Sequence, residues 1–385
     1  MNVSRQARRT LTGYAFLGPW LFALVFVIGY PFVASLYFSA CEYPPLRGPL
    51  FVGLDNYKEL ALDHVFHQSM GVTLIFAAIA IPLGVVLALT LALFLNARIK
   101  GRSVYRVIYY LPHLIPSVVV AILWMWMFNP QFGILNVVLR PFGWLASKAL
   151  YPFAHVDPGM PGLVALLLVI ASVVAWRVAP RRVGSAGADE RRVFLTKVVT
   201  IVVFVVMLAL ALASWLEPTD LDKIASPGWL TDANPFPSGL SIAPSWALWA
   251  LIYMNMWGVG QMAVIYLAKL QDVPVELYEA AELDGANWWQ KTFYVTIPMI
   301  SPVILFNIVM GIIGAFQVFA EPYIMTAGGP EDKTRFIAMF IYDQAFQYQR
   351  LGYAAAVAWV LFLVIVGLTM LALRISRERV YYASE

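Results

Sequence analysis

The residues best equipped for chemistry lie in one short stretch, Gln271-Asp272-Val273-Pro274-Val275-Glu276-Leu277-Tyr278-Glu279-Ala280-Ala281-Glu282-Leu283-Asp284-Gly285-Ala286. Glu276, Glu279 and Glu282 fall at i, i+3 and i+6, so a helix sets three carboxylates in one stripe. Such a stripe accepts charge-assisted hydrogen bonds from a basic partner. Asp272 is placed to cap the helix, and Pro274 suits its first turn. Glu276 and Glu279 in the early turns complement the helix dipole. Gly285 offers a left-handed stop. Ala280 and Ala281 add little bulk, so another surface can approach closely. The chain runs on through Trp288-Trp289 and Phe293 to Ile297-Pro298, where Pro298 opens the next apolar helix. The expected product is a small rigid knob, acidic on one side. At this level two readings stand: a solvated amphipathic loop helix, or a docking surface.

Other chemistries find no residues. The single cysteine, Cys41, cannot form an intrachain disulfide, and His64, His67, His113 and His155 are scattered without metal-ligand spacing. No phosphate-cradling glycine loop and no nucleophile elbow occur, so no catalytic residue and no resident cofactor are expected. Polar residues inside apolar runs are the remaining candidates, because they often line a solute path. Asn255 and Gln261 lie in one such run and Asn307 and Gln317 in another, with Glu321 just past the end of the second. Trp124 and Trp126 in a third could stack on sugar rings. The competing reading is hydrogen bonding between helices for the amides and interface anchoring for the tryptophans. No charged residue sits at mid-run, which suits a neutral polar solute.

The elements that must position these residues are set by composition. The 385-residue chain is 61% hydrophobic and 12% charged, against about 25% charged in a soluble domain. A net charge of +4 is too small to imply nucleic acid. Spanning helices need about 20 apolar residues. Qualifying runs are Tyr14–Phe38, Met70–Leu95, Val107–Phe128, Gly162–Trp176, Phe194–Trp215, Ser245–Ala268, Met299–Ala320 and Tyr353–Leu373. The fold class is therefore all-α, a polytopic transmembrane helical bundle of about eight spanning helices. Phe38-Ser39-Ala40-Cys41 loosely resembles a lipoprotein cleavage site, but the preceding run is too long for a signal peptide, so an uncleaved first helix is expected. With the N-terminus in the cytoplasm, 18 of the 26 Lys and Arg residues fall on the cytoplasmic side. That bias predicts that both termini are cytoplasmic. The acidic knob is then an exception on a basic face.

Glu279-Ala280-Ala281-x-x-Asp284-Gly285-Ala286, followed by Phe293, Ile297 and Pro298, resembles the EAA loop of ABC-importer permeases, in particular the maltose-type or carbohydrate-uptake branch. Leu267-Ala268-x-Leu270-Gln271-x-Val273-Pro274, Asn129-Pro130-x-x-Gly133-Ile134-Leu135-Asn136 and Thr326-Ala327-Gly328-Gly329-Pro330 are similar to that branch too. So is the segment from Tyr342 to Ala356. The resemblance covers most of the chain outside residues near 140–240. It implies a six-helix permease core interrupted by an inserted two-helix hairpin, whose turn from Arg177 to Lys197 carries six basic residues. Domain boundaries follow: a cytoplasmic tail over 1–13, helices one to three over 14–138, the insertion over 139–238, helices six to eight over 245–373 with the coupling loop 272–298, and a cytoplasmic tail over 374–385. The resemblance assigns ATPase coupling to Glu276, Glu279, Ala280, Ala281, Asp284, Gly285 and Ala286. It implies two copies of a cytoplasmic ATPase that hold ATP and Mg, a second homologous permease and an extracytoplasmic solute-binding protein. It also implies residence in the inner membrane of a prokaryote, in contact with lipid and not with nucleic acid.

Overall fold

The computed structural model describes residues 5–44, 48–96, 101–129, 131–135, 228–231 and 244–377. The expected spans Gly162–Trp176 and Phe194–Trp215, and the basic turn between them, lie outside the described residues. Four described helices are long and apolar enough to cross a membrane: Gly13–Ser39, His64–Asn96, Trp288–Met325 and Leu351–Ser376. Two broken pairs, Ser103–Leu114 with Ser117–Met127 and Trp246–Trp257 with Gly260–Gln271, raise the number to six if each pair crosses as one span. These six correspond to the first three and last three runs read from the sequence.

In chain order, α1 (Arg5–Phe22) continues through a wide π turn into α2 (Tyr30–Ser39). A two-residue antiparallel ribbon, β1 (Cys41–Glu42) and β2 (Leu50–Phe51), follows, with Cys41 opposite Phe51. Next come α3 (Asp55–Leu62), α4 (His64–Asn96), α5 (Arg102–Leu114) and α6 (Ser117–Met127). Pro116, which lacks an amide proton and sits at the N-cap of α6, accounts for the break between α5 and α6. Then come α7 (Trp246–Trp257), α8 (Gly260–Gln271), α9 (Val275–Leu283) and α10 (Trp288–Lys291). The last elements are α11 (Ile297–Phe316), α12 (Ala320–Met325), α13 (Ile337–Tyr342) and α14 (Leu351–Ser376).

The chain divides into two compact units. The first comprises Met1–Leu114, Met256–Phe319 and Arg335–Glu385; the second comprises Ile115–Asn255 and Ala320–Thr334. In the first, α4 is the central post, packed by α8, α11 and α13, while α14 packs on α2 and α11. At 33 residues, α4 is about 50 Å long and projects beyond a hydrocarbon layer of about 30 Å.

Lipid is as apolar as leucine, so close packing rather than water exclusion must hold these helices together. Small residues supply that packing. Ala88 and Ala92, one turn apart on α4, are fully buried with Ala263, Tyr266, Leu267 and Leu270 of α8 and Ile300 of α11. Gly260 lets α8 meet the Tyr109 backbone of α5, since a Cβ there would collide with the Tyr109 carbonyl. Gly352 lets α14 approach the Cys41 carbonyl in the same way. The first amide of α13 finds a partner in Thr73, whose hydroxyl accepts from Ile337 N–H at 2.9 Å. In the second unit, α12 packs on α6.

Candidate functional site

The acidic segment folds as expected into a short exposed helix, α9, between α8 and the long helix that ends in α11. Its stop is a Schellman arrangement. Gly285 adopts φ +75°, Gly285 N–H reaches the Glu282 carbonyl at 3.0 Å, and Ala286 N–H reaches the Ala281 carbonyl at 2.9 Å. A Cβ built on Gly285 meets nothing within 4 Å, so glycine is required there by backbone conformation and not by crowding.

The start differs from the sequence reading. Asp272 does not cap α9. The N-cap is Pro274, with no side-chain hydrogen bond, and Asp272 instead ends α8, 3.7 Å from Lys269. The physical reason is register: α8 runs on to Gln271, and Pro274 fixes an extended residue just before the first turn. The following helix also begins earlier than Pro298. It starts at Trp288, where Asn287 and Gln290 form a reciprocal capping box at 3.0 and 2.8 Å.

The stripe of three carboxylates resolves into two functions. At about 100° per residue, i and i+6 diverge, so Glu282 leaves the line of Glu276 and Glu279. It turns to Lys291 and pairs with it at 2.6 Å, tying α9 to α10. Tyr278, on the inner side of α9, makes a second tie, 3.0 Å from the Thr296 hydroxyl. Val273 is buried among Leu270, Leu95 and Ile300, which fixes the root of the knob. Glu276 and Glu279 stay exposed and form no ion pair among the described residues. They share the outward face with exposed Ala280 and with Leu283, which is 90% exposed. Leu283 thus adds one apolar side chain to an otherwise acidic, small-residue face. Ala281, Asp284, Gly285 and Ala286 line a recess of about 290 Å³ together with Lys291 and Tyr294. All seven coupling candidates therefore lie on α9 or its stop.

Sequence reasoning missed Leu283, Tyr278, Asn287 and Gln290. The signal for the last pair was present, since Asn followed three residues later by Gln is a capping-box spacing. Leu283 was legible from its helical position relative to Glu276. The Tyr278 contact depends on a tertiary neighbour and left no local trace.

The candidate path residues are placed differently from one another. In the first unit, Asn307 is 2% exposed on α11 and neighbours Tyr266 of α8. Gln261 and Gln317 are exposed, and Glu321, in the second unit, is half-buried. Also in the second unit, Asn255 is exposed, while Trp124 is buried, 5.1 Å from the ring of Phe128 and 5.6 Å from that of Tyr253. Trp126 is 74% exposed.

Two of the sequence motifs are backbone devices. The Asn129 side chain accepts from Gln131 and Phe132 N–H at 2.9 and 3.2 Å, and a Cβ on Gly133 would strike the Asn129 carbonyl. In the loop after α12, Ala327, Gly328, Glu331 and Asp332 all have positive φ. Thr326 and Thr334 close that loop with a hydroxyl pair at 2.7 Å.

Comparison with known proteins gives a consistent picture. The family described as binding-protein-dependent transport system inner membrane component matches residues 141–380. The chain is 31% identical to the "Probable ABC transporter permease protein YesP" of Bacillus subtilis (strain 168), over 100% of this chain and 97% of that protein. It is 24% identical to the "Probable starch degradation products transport system permease protein AmyD" of Thermoanaerobacterium thermosulfurigenes, over 95% of this chain and 94% of that one. Among solved structures, it shares its fold with a chain of a bacterial alginate ABC transporter in complex with an alginate pentasaccharide-bound periplasmic protein. The TM-score is 0.63 at 19% identity, with 98% of both chains covered.

Proposed function

The chain belongs to the family of binding-protein-dependent transport system inner membrane components, and we propose that it is the permease subunit of an ABC importer for a sugar or related small polar solute. The observation that carries this reading is α9. It is an exposed acidic helix with a bare leucine, stopped by a left-handed glycine and tied at two points to the spanning helices. Such a helix is a lever. A push on Glu276, Glu279, Ala280 and Leu283 passes through Tyr278 and Glu282 into α10 and α11, and through Val273 into α8.

In this reading a partner ATPase, present in two copies, holds ATP and Mg and seats α9 in a groove. A second homologous permease completes the path, and an extracytoplasmic solute-binding protein delivers the solute. Both termini and the Arg177–Lys197 turn lie in the cytoplasm, and the chain spans the membrane eight times. ATP-driven closure of the ATPases moves α9 and exposes the path to each side in turn. Asn255, Gln261, Asn307, Gln317 and Trp124 are the candidate contacts along it. A sugar is the favoured solute because relatives carry carbohydrate names and no charged residue is embedded mid-span in the described helices.

The test is recovery of the ATPase on the affinity-purified permease. Glu276→Lys combined with Glu279→Lys should abolish co-purification and uptake, while the chain still inserts in the membrane. Full recovery of ATPase and uptake in that double variant would refute the docking role.

A further inference from the structure

The helix that leads from α9 into the membrane is not α-helical throughout. Between α10 and α11 the backbone widens into a five-residue π turn, Thr292–Thr296, where Ile297 N–H reaches back to the Thr292 carbonyl. Such turns are rare and are found mostly at functional sites. Pro298 follows at once, near the start of α11, and has no amide proton to give to the preceding turn. A π turn and a proline are the two commonest causes of a bend in a helix. Here they stand side by side, so the backbone is softest between α10 and α11.

The two ties from α9 straddle this soft point. Glu282 grips Lys291, the residue just before the turn, and Tyr278 grips Thr296, its last residue. Thr296 is 3% exposed, and its hydroxyl also lies 3.3 Å from the Lys291 carbonyl, five residues back. A carbonyl can only accept, so the Thr296 proton is committed to it. The Tyr278 hydroxyl is therefore the donor to Thr296. The result is a chain from Tyr278 O–H through Thr296 O–H to the Lys291 carbonyl, in which each bond polarises the next. It closes across the turn from one side to the other.

The ties differ in what they join. The Glu282–Lys291 pair joins α9 to α10 on the near side, so it persists while the two move as one body. The Tyr278–Thr296 bond joins α9 to the far side, so any bend at the turn pulls on it. We propose that the π turn and Pro298 form a hinge, that Tyr278 and Thr296 latch it at rest, and that displacement of α9 by the partner ATPase opens the latch. This rests on the importer reading above, which supplies the push on α9. Thr296 is then a positioning residue for coupling, acting through Tyr278 and touching no solute. A neutral hydrogen bond of this kind shifts an equilibrium by about five- to tenfold. That is enough to hold a hinge at rest and small enough to yield when the ATPases close.

The experiment uses the complex purified on this chain, with its ATPase, in nanodiscs. Hydrogen exchange of the amides over 288–297 is followed without nucleotide and with ATP plus vanadate, which arrests hydrolysis. In the unaltered complex, arrest should speed exchange in this segment about tenfold. Thr296→Val, which keeps the shape and loses the hydroxyl, should exchange about five- to tenfold faster already without nucleotide. Tyr278→Phe, which removes one oxygen from a half-buried ring, should do the same. Thr296→Ser, which keeps the hydroxyl, should stay within about twofold of the unaltered complex. ATPase activity without binding protein should rise roughly threefold in the Val and Phe variants and not in the Ser variant. Exchange that is equal with and without ATP plus vanadate in the unaltered complex would overturn the hinge. Unaltered exchange in both Thr296→Val and Tyr278→Phe would overturn the latch, and so would Thr296→Ser behaving as Thr296→Val, because packing would then be the cause. A complex that purifies without any ATPase would instead overturn the importer reading itself.

Discussion

The stop of α9 offers the sharpest perturbation, because conformation and crowding separate there. Gly285 sits at φ +75°, yet its missing Cβ would touch nothing within 4 Å in the free chain. A substitution therefore acts through backbone strain alone until a partner arrives. An L-residue held in the left-handed region costs about 1–2 kcal/mol, and asparagine bears it better than alanine. If docking requires the intact stop, that cost appears directly in the docking equilibrium, as a loss of about 5- to 30-fold for Gly285→Ala. The order of affinities should be Gly, then Asn, then Ala, with Val last because a β-branched residue tolerates positive φ least. The assay is equilibrium binding of the ATPase to permease complexes in nanodiscs, with uptake measured in parallel. Alanine binding more tightly than asparagine would mean that side-chain bulk against the groove, and not the left-handed stop, governs docking. Equal affinity for all four would remove the stop from the mechanism altogether.

Other expectations follow from the same structure. Leu283→Ala removes an apolar group that is 90% exposed in the free chain. It should leave the chain's own thermal stability unchanged and weaken ATPase binding by about 2 kcal/mol, read in the same binding assay. Gly260→Ala drives a Cβ into the Tyr109 carbonyl. It should lower thermal stability in detergent by about 1–3 kcal/mol, with loss of folded yield on size exclusion as the second readout. Ser185→Cys and Ser226→Cys, placed in a chain whose native Cys41 is buried, should differ under an impermeant thiol reagent. Only the second should label from outside, and equal outside labelling would contradict the inserted hairpin.

Much of this was legible in the sequence, for identifiable reasons. Among the described residues, four spans, and two more if each broken pair crosses as one, follow from length and hydropathy, which the bilayer enforces with little regard to tertiary detail; the breaks within those pairs left no such signal. Gly285 was legible because a helix stop is a local device. Asp272 was misread because capping depends on where the previous helix ends, and Pro274, not Asp272, fixes that boundary. The split of the acidic stripe into an outward pair and an inward tie was also hidden, since Lys291 is nine residues away from Glu282. Gly260 and Gly352 gave no local signal either. Their role is to let one backbone approach another that is distant in sequence, and only the packed structure names the partner.

In the proposed function, this chain carries a solute across a membrane at the expense of ATP hydrolysed on a partner subunit. The direct measurement is uptake into proteoliposomes that contain the complex purified on this chain, with binding protein and labelled sugar outside and ATP inside. The predicted result is uptake that requires both ATP and the binding protein and is lost in the Glu276→Lys, Glu279→Lys double variant. Uptake driven by an ion gradient without ATP, and indifferent to that variant, would contradict it.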